Sequence, residues 1–425
     1  MKDSPTQQQV SKEPNIIDIS QCRRSSGALK ELAERLFNSV DIRINGHRPW
    51  DVQVHHEGVY ERVLEQGSLG LGEAYMDGWW DCENLDEAFF RVLRAQQEGQ
   101  FRVIFPFTML FPLFISDLKS RILNHQGKVN AFIVGQRHYD IGNDLYRSML
   151  DKRMVYTCGY WDNARNLDEA QEAKLDLVCR KLGLKPGMHV LDIGCGWGSF
   201  AKYAAQQYGV RVTGITVSRQ QVELAKDICR GLDVEVQFKD YRDLSGTYDR
   251  IVSLGMFEHV GYKNYRTYMQ IVARSLKDDG LFLLQTIGSN KSTTSYDPWL
   301  DKYIFPNALI PSIEQIGKSY EGLLVMEDWQ NFSAYYDQTL MAWFKNFDNQ
   351  WPDLQPHYGD KFYRMWRYYL LSCAGLFRSR QQQLWQIVFS KHGVAHGYRR
   401  IRTANNLRLY LSTIDIFCPF LRIKT

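Results

Sequence analysis

The sequence has 425 residues, which is enough for two or three compact domains, and 44% of them are hydrophobic and 24% charged. This balance excludes an intrinsically disordered chain and a small disulfide scaffold. The net charge of +4 is too small to indicate a nucleic-acid partner. Aromatic residues reach 13%, the one unusual bulk value, and favour a site for flat or apolar groups.

Residues 1–27 form a polar leader that mixes acids with bases and lacks the apolar stretch of a secretory signal. The eight cysteines show neither CxxC spacing nor a zinc-ligand pattern, which is typical of free thiols in a reducing compartment. Both observations predict a cytoplasmic protein without a bound metal.

Residues 28–125 are predicted to form a small N-terminal α+β domain. Helical periodicity predicts three helices, at residues 28–39, 57–66 and 85–97. The dipeptide Asn45-Gly46 predicts the turn of a β-hairpin over residues 41–54.

Two segments have the mixed apolar and basic character of membrane-surface elements. Residues 101–115 are the most apolar stretch, but fifteen residues fall short of the ~20 that a membrane-spanning helix needs. The C-terminal tail, residues 391–425, carries seven Lys and Arg against the single acid Asp415. Peripheral contact with a bilayer is one interpretation of each segment, and a dimer interface or a core strand is the other.

From residue 167 onward, apolar runs alternate with amphipathic segments, which is typical of a parallel, doubly wound α/β sheet. The predicted strands are residues 188–193, 210–215, 234–238, 248–254, 281–286 and 384–389, and the predicted helices are residues 199–208, 218–230 and 265–276. Residues 126–390 therefore form the predicted second domain. An insertion at residues 296–369, unusually rich in aromatic residues, interrupts the sheet and predicts a substrate pocket.

The segment VLDIGCGWG, residues 190–198, carries the clearest local signal, because a buried strand there runs into three closely spaced glycines. A dinucleotide fingerprint would need a glycine at position 199, which is Ser199, so the spacing disfavours NAD. It resembles instead the loop with which class I methyltransferases bind S-adenosylmethionine, and a tight turn without a ligand is the alternative. The candidate cofactor-binding residues are Val190, Leu191, Asp192, Ile193, Gly194, Cys195, Gly196, Trp197 and Gly198.

Further cofactor contacts are predicted after the second and third strands. The second strand ends at Thr216 rather than at an acid, and Thr216 with Gln221 either hydrogen-bonds a ribose or caps the helix that begins near Ser218. Tyr241 and Arg242 follow the third strand, where such folds edge an adenine, and a solvated loop is the alternative.

In open α/β sheets, ligands bind beyond the carboxyl ends of the strands. Several chemically active side chains fall there or in neighbouring segments. The catalytic candidates are Glu258 after the fourth strand, Gln285 and Ile287 at the end of the fifth, Cys158 before the sheet, and Tyr336 in the aromatic insertion. Tyr156 and Thr157, beside Cys158, are further candidates for cofactor binding.

Several longer motifs resemble the cyclopropane-fatty-acyl-phospholipid synthase family, relatives of the mycolic acid cyclopropane synthases. They include GSLGLGEAYMDGWW (67–80), HYDIGNDLY (138–146), YTCGYW (156–161), DRIVSLGMFEHVG (249–261) and MEDWQNF (326–332). The resemblance covers about residues 28–389. It implies a Rossmann-like, seven-stranded methyltransferase fold that transfers a methylene group from S-adenosylmethionine to a cis double bond of a phospholipid acyl chain.

The resemblance also implies a bound bicarbonate ion as the base that allows ring closure. Its residues carry over to Cys158, Glu258, the backbone at Ile287, and Tyr336, with Gln285 replacing a histidine of the family's bacterial pattern. Glutamine can hydrogen-bond an anion but cannot become cationic or relay a proton. Cys373 matches a second cysteine proposed as active, although an alkene needs no thiol nucleophile and a core position is the alternative.

The family resemblance further implies a homodimer, associated peripherally with the inner face of a membrane that contains its unsaturated phospholipid substrate. Two other functions remain open. One is a methyltransferase that stops before ring closure and yields a methyl- or methylene-branched chain, because the histidine is absent. The other is a lipid-binding protein without chemistry, against which the intact glycine loop argues.

Overall fold

The computed structural model describes residues 15–18, 26–104, 126 and 142–403. Most of the predicted leader, most of the apolar segment 101–115 and the tail beyond residue 403 lie outside the described residues. Within these ranges, no helix combines the length and the apolar character needed to cross a bilayer.

The N-terminal domain is mainly helical. Its helices are α1 (Ser26–Ser39), α2 (Val59–Gln66), α3 (Ser68–Met76) and α4 (Leu85–Gln97). Its strands are β1 (Asn15–Asp18), β2 (Gln53–Val54), β3 (Trp80–Asp81) and β4 (Phe101–Ile104), of which β1 pairs with β4 and β2 with β3. The three predicted helices are confirmed, and strand β1 lies within the predicted leader.

The hairpin predicted over residues 41–54 is wrong. The buried carboxylate of Asp51 accepts hydrogen bonds from the backbone N–H groups of Arg43 and Arg48 and from the Arg48 guanidinium, which folds the segment into a compact loop. Gly46 lies so close to the Asp51 carboxyl that a Cβ would have no room. Strand β2 consequently pairs with the distant β3 rather than with its neighbour in sequence.

The second domain has a central seven-stranded sheet. Its strands are β5 (His189–Ile193), β6 (Arg211–Thr216), β7 (Val234–Phe238), β8 (Tyr248–Leu254), β9 (Leu276–Ser289), β10 (Val325–Asn331) and β11 (Gln382–Ser390). Their order is β10-β11-β9-β8-β5-β6-β7. Strands β5 to β9 are parallel, and β11 is antiparallel to both of its neighbours. The predicted α/β class is confirmed, with a mixed rather than wholly parallel sheet.

Strand β10 lies at the edge of the sheet and was not expected from its sequence. Its side chains are mostly exposed or half-buried, so the segment VMEDWQN lacks the apolar run that marks the central strands. Backbone pairing with β11, rather than burial of its own side chains, holds this strand in place.

Nine helices of the described chain surround the sheet and fill the insertion. They are α5 (Asn143–Met149), α6 (Leu167–Lys181), α7 (Ser199–Tyr208), α8 (Arg219–Ile228), α9 (Tyr265–Ser275), α10 (Pro298–Tyr303), α11 (Ile313–Tyr320), α12 (Ser333–Tyr358) and α13 (Asp360–Arg378). The long helices α12 and α13 come from the aromatic insertion and pack against each other.

Helix α13 also packs against the N-terminal helices α3 and α4, so the N-terminal region and the insertion share one hydrophobic core. Arg364 donates hydrogen bonds to the carbonyls of Tyr75 and Trp80 and pairs with Asp81 at 2.7 Å. Gly375 packs directly on the α4 backbone, where a larger residue would collide with it. The N-terminal domain therefore fixes the position of the helix that carries Cys373.

Candidate active site

The glycine loop begins where β5 ends, and its shape depends on three residues with positive φ. Gly194, Gly196 and Gly198 have φ values of 83°, 54° and 83°. A Cβ at Gly194 would collide with Met256, and one at Gly198 would press on α8, so these two glycines permit close packing. A Cβ at Gly196 would meet nothing within 4 Å. The backbone at Gly196 therefore faces open space that a ligand can enter.

Asp192, the last acid of β5, is buried beside the loop, and its Oδ2 atom has no hydrogen-bond partner among the described residues. Burial raises its pKa to about 7, against the influence of the Lys174 ammonium. Burial likewise lowers the pKa of Lys174 to about 8. Lys174 donates to the Thr157 hydroxyl at 3.0 Å, so it links the glycine loop region to the segment that precedes Cys158.

Thr216 and Gln221 come together as predicted, and both are buried. The Thr216 hydroxyl donates to Gln221 Oε1 at 2.6 Å. Ser218 is the residue that caps α8, because its side chain accepts from the Gln221 N–H. The structure thus separates capping from the Thr216–Gln221 pair, and contact of this pair with a ribose stays a prediction.

Tyr241 and Arg242 lie in a short 3₁₀ turn rather than in a solvated loop. Tyr241 is buried, and its hydroxyl has no partner among the described residues. Arg242 pairs with the buried Asp240 at 2.9 Å and stands over the Tyr241 ring at 4.6 Å. The solvated-loop alternative is therefore wrong, and the adenine contact stays a prediction.

Glu258 lies in a 3₁₀ turn just after β8, at the carboxyl end of the sheet. Its Oε1 atom accepts a hydrogen bond of 2.6 Å from the Ile287 N–H at the end of β9. Its Oε2 atom is buried and has no partner in the described structure. Burial raises the pKa of Glu258 to about 7, so near neutral pH this carboxyl can either hold or accept a proton.

Cys158 and Tyr336 are uncharged and pack with Ile287, whose N–H group binds Glu258. Burial raises the pKa of the Cys158 thiol to about 12, and the thiol contacts the Gly159 carbonyl at 3.2 Å. Burial raises the pKa of Tyr336 well above its usual value, and Cys158, Glu258 and Cys373 raise it further. The structure thus brings four predicted residues together in one buried cluster: Cys158, Glu258, Ile287 and Tyr336.

Cys373 is half-buried in the same cluster, and burial raises the pKa of its thiol to about 12. A thiol with so high a pKa is a poor nucleophile near neutral pH. All six cysteines in the described part of the chain are free. The predicted catalytic role of Cys373 stays untested, and the core alternative stays open, because the residue lies near Tyr336 and also packs against the main hydrophobic core.

Residues 126–387, more than half of the chain, match the family model described as mycolic acid cyclopropane synthetase. The chain belongs to this family. The cyclopropane-fatty-acyl-phospholipid synthase of Escherichia coli K12 is 52% identical over 371 residues, which cover 87% of this chain and 95% of that protein. The family resemblance that the motifs carry is confirmed.

A second curated relative and a solved structure are also similar to this chain. The probable fatty acid methyltransferase of Pseudomonas putida is 36% identical, over 63% of this chain and 71% of that protein. The structure of mycolic acid cyclopropane synthase CmaA1 in complex with SAH and CTAB matches with a TM-score of 0.58 and 30% identity, over 61% of this chain and 98% of that chain. The predicted class, an S-adenosylmethionine-dependent methyltransferase, is confirmed.

Aromatic side chains enclose the cluster, and we call the rings of Tyr156, Phe305, Tyr336, Trp343 and Tyr369 the aromatic chamber. Its ring centroids lie 5.1 Å apart for Tyr156–Trp343, 6.1 Å for Tyr336–Trp343 and 5.7 Å for Phe305–Tyr369. The hydroxyls of Tyr156 and Tyr369 share a hydrogen bond of 2.8 Å. Tyr156, predicted as a cofactor residue, thus forms a wall of the chamber in this family member.

Tyr296 was not expected at the site from its sequence. Its pKa is raised well above its usual value by burial, with contributions from Cys373 and Glu258. Both residues therefore lie close enough to the Tyr296 hydroxyl to affect its ionisation. The only available signal was its position in the aromatic insertion, which does not distinguish it from the other rings there.

The residues that hold Gln285 were not expected from the sequence either. The buried Gln285 Oε1 accepts from Gln386 Nε2 at 2.9 Å, and Gln386 Oε1 accepts from the Lys181 ammonium at 2.8 Å. Lys174 and Lys181 follow Leu167 and share its face of α6 at intervals of seven residues. This spacing was the available signal, because it places both lysines on the helix face that Leu167 and Val178 turn toward the core.

Proposed function

We propose that this chain transfers a methylene group from S-adenosylmethionine to a cis double bond of an unsaturated acyl chain in a membrane phospholipid, forming a cyclopropane ring. The observation that carries the proposal is a buried carboxyl, Glu258, whose Oε2 atom has no partner among the described residues. It lies near Tyr336 of the aromatic chamber and two residues after Met256, which packs on Gly194 of the glycine loop. The similarity to the Escherichia coli synthase over 87% of the chain supports the same activity.

The residues around the glycine loop fit S-adenosylmethionine. Gly196 leaves open space, and both Asp192 Oδ2 and the Tyr241 hydroxyl are buried without a partner among the described residues. Such atoms are costly unless a ligand or water completes their hydrogen bonds. When bound, S-adenosylmethionine supplies an electrophilic methyl group on a positively charged sulfur.

The aromatic chamber suits an uncharged alkene. An alkene is a weak nucleophile, so holding it in line and excluding water supplies much of the acceleration. Methyl transfer leaves a carbocation on the acyl chain, and an aromatic face stabilises a desolvated cation by about 0.5 to 2 kcal/mol. The faces of Tyr156, Trp343 and Tyr336 therefore have a chemical role in addition to packing.

Ring closure requires removal of a proton from the added methyl group. The free acceptor Glu258 Oε2 and the free donor Gln285 Nε2 are both buried, and bicarbonate carries both an O–H donor and acceptor oxygens. We propose that these two residues, with the neutral Cys158 and Tyr336, hold a bicarbonate ion. A bicarbonate ion in this position would supply the base for ring closure. Because the pKa of Glu258 is near 7, its ionised and protonated forms coexist near neutral pH: the ionised Oε2 accepts from the bicarbonate O–H, and the protonated Oε2 donates to the anion and avoids the repulsion.

The reaction is tested with the purified protein, vesicles of unsaturated phospholipid and labelled S-adenosylmethionine, followed by proton NMR of the extracted lipid. High-field signals of ring methylene protons are expected. A methylated or methylene-branched alkene without these signals would replace ring closure by the simpler methyl transfer, which the loss of the histidine at position 285 favours. No incorporation of label would overturn catalysis itself.

We also propose a cytoplasmic homodimer that binds the membrane surface peripherally, as the family resemblance implies. The first residues of the basic tail pack on the sheet domain: Arg402 pairs with Asp328 at 2.6 Å, and Tyr398 donates to the Lys181 carbonyl. A truncation after residue 403 is therefore the right test of the tail. Reduced flotation with anionic vesicles is expected, and undiminished flotation would remove the tail from the membrane contact. Light scattering after gel filtration tests the dimer.

A further inference from the structure

Three buried polar side chains form a row that ends in the catalytic cluster. Lys181, on α6, donates to Gln386 on β11, and Gln386 donates to Gln285 on β9. Gln285 and Gln386 are directly opposite each other in the antiparallel pairing of these strands. All three side chains are at least 98% buried, at 1% relative exposure each. We call them the lysine relay.

The lysine relay has a fixed hydrogen-bond direction. An isolated glutamine amide can turn either its oxygen or its nitrogen toward a neighbour, and shape alone does not decide between them. Burial lowers the pKa of Lys181 to about 7, so below neutral pH the far end is an ammonium group, which has donors and no acceptor. Gln386 must therefore turn its oxygen to Lys181 and its nitrogen to Gln285, which in turn presents its own oxygen to Gln386.

The remaining group of Gln285 is its Nε2 donor, which is buried and has no acceptor among the described residues. Gln285 lies beside the turn that carries Glu258, because β8 pairs with β9 at Leu254 and Gln285 and the Gly255 N–H donates to the Gln285 carbonyl at 2.9 Å. Glu258 Oε2, a buried acceptor, is also without a partner in the part of the chain that the structure describes. The cluster thus offers one fixed donor and one free acceptor.

We propose that Lys181 is a positioning residue that acts through Gln386 to hold the Gln285 amide with its nitrogen toward Glu258, making it a fixed donor for a bound oxyanion. This inference rests on the bicarbonate site of the proposed function.

The described surroundings of Lys181 offer its ammonium group no hydrogen-bond acceptor that competes with Gln386. Its nitrogen lies 4.9 Å from the centre of the Phe332 ring. The nearby buried carboxylate of Asp328, on β10, is paired with Arg402 from the C-terminal segment. The only hydrogen bond of the Lys181 ammonium within the described structure is the one to Gln386.

Replacing Gln386 by glutamate reverses the direction of the relay at nearly constant volume. The Q386E carboxylate accepts from Lys181 and also accepts from Gln285, whose amide must then turn its oxygen toward Glu258. Q386L and K181M remove the direction without reversing it. Q383E is the matched control, because Gln383 is a buried amide on the same strand that contacts Arg380 and Asn331 instead of Gln285.

The test measures binding of ¹³C-labelled sodium bicarbonate by NMR, without turnover, and the Michaelis constants for S-adenosylmethionine and lipid. We expect bicarbonate binding to weaken at least tenfold in Q386E and about threefold in Q386L and K181M. Both Michaelis constants should stay unchanged in these variants, and Q383E should bind bicarbonate with the affinity of the wild type. Thermal unfolding identifies any variant that does not fold. The bicarbonate affinities are then compared among the folded variants only.

Wild-type affinity for bicarbonate in all folded relay variants would overturn the positioning role and leave the anion site standing. A wild-type protein that binds no bicarbonate would overturn the anion site and the relay together, while methyl transfer to the lipid would still be tested by the labelled donor. The two failures are thus distinguishable.

Discussion

The glycine loop and the aromatic chamber are neighbours, but they are built in opposite ways. The loop is one continuous segment, residues 190–198, whose shape follows from positive φ at three glycines. The chamber and its cluster take single side chains from separate segments: Cys158, Glu258, Gln285, Tyr336 and Cys373. Changes in the loop should therefore abolish donor binding, whereas changes in the cluster should alter the chemistry and leave donor binding intact.

The largest effect is expected for Gly196→Val. The valine strains a backbone with φ of 54° and fills the open space at the loop, so binding of S-adenosylmethionine should weaken more than 100-fold in calorimetry. Gly183→Val is the matched control, because Gly183 has φ of 58° and equally open surroundings away from the loop. If both variants lost affinity for S-adenosylmethionine equally, the effect would come from backbone strain and not from the filled space at the loop.

Glu258→Gln should reduce the rate of ring formation at least 100-fold and leave S-adenosylmethionine binding within about twofold of wild type, since it removes the free acceptor but not the loop. Asp192→Asn should do the opposite, weakening donor binding. Rate measurements at saturating donor, with calorimetry, separate the two. Loss of donor binding in both variants would contradict the division between loop and cluster.

Glu258→Gln also has a stability consequence with a definite sign. The folded-state pKa of Glu258 is raised from 4.5 to about 7, so the ionised carboxyl increasingly destabilises the folded protein as pH rises from about 4.5 to 7. The variant should therefore gain up to about 3 kcal/mol of unfolding free energy relative to wild type on going from pH 4.5 to 8. Urea unfolding at both pH values checks this, with the exposed Glu223→Gln expected to show no such gain.

Gln285→His sharpens the comparison within the cluster, because it changes an anion contact without touching the loop. A histidine can become cationic near its ordinary pKa of about 6.5, so bicarbonate binding should strengthen several-fold as pH falls through that value, relative to wild type at the same pH. Labelled bicarbonate titrations at pH 6 and 8 measure this. A constant ratio of the two affinities across this range would show that the new ring stays neutral.

The smallest effect is expected for Tyr369→Phe. It removes the 2.8 Å hydrogen bond to the Tyr156 hydroxyl but keeps the aromatic wall, so the rate should fall about threefold to tenfold. Tyr358→Phe is the control, because Tyr358 donates to Asp144 at the surface. A Tyr369→Phe rate equal to that of this control would show that the hydroxyl pair does not position the chamber walls.

The parallel strands, the glycine loop and the positions of Glu258, Gln285 and Ile287 at strand ends could all be predicted from the sequence. Buried parallel strands carry continuous apolar runs, and ligands meet such sheets at their carboxyl ends, so short-range patterns were enough. The edge strand β10 and the helix α3 could not be predicted in this way. The first is held by backbone pairing, and the second contains Gly70 and Gly72, which pack against Arg62 and Trp299 from elsewhere in the chain.

The sequence by itself determined the family, the fold and the set of candidate side chains, because local patterns and spacings carry that information. Only the tertiary structure decided which polar atoms have partners. Among the described residues, it left Glu258 Oε2 and Gln285 Nε2 without a hydrogen-bond partner, and it buried Lys174 and Lys181. Burial and hydrogen-bond direction depend on contacts between residues far apart in the chain, and these contacts set the charge and the donors of the active site.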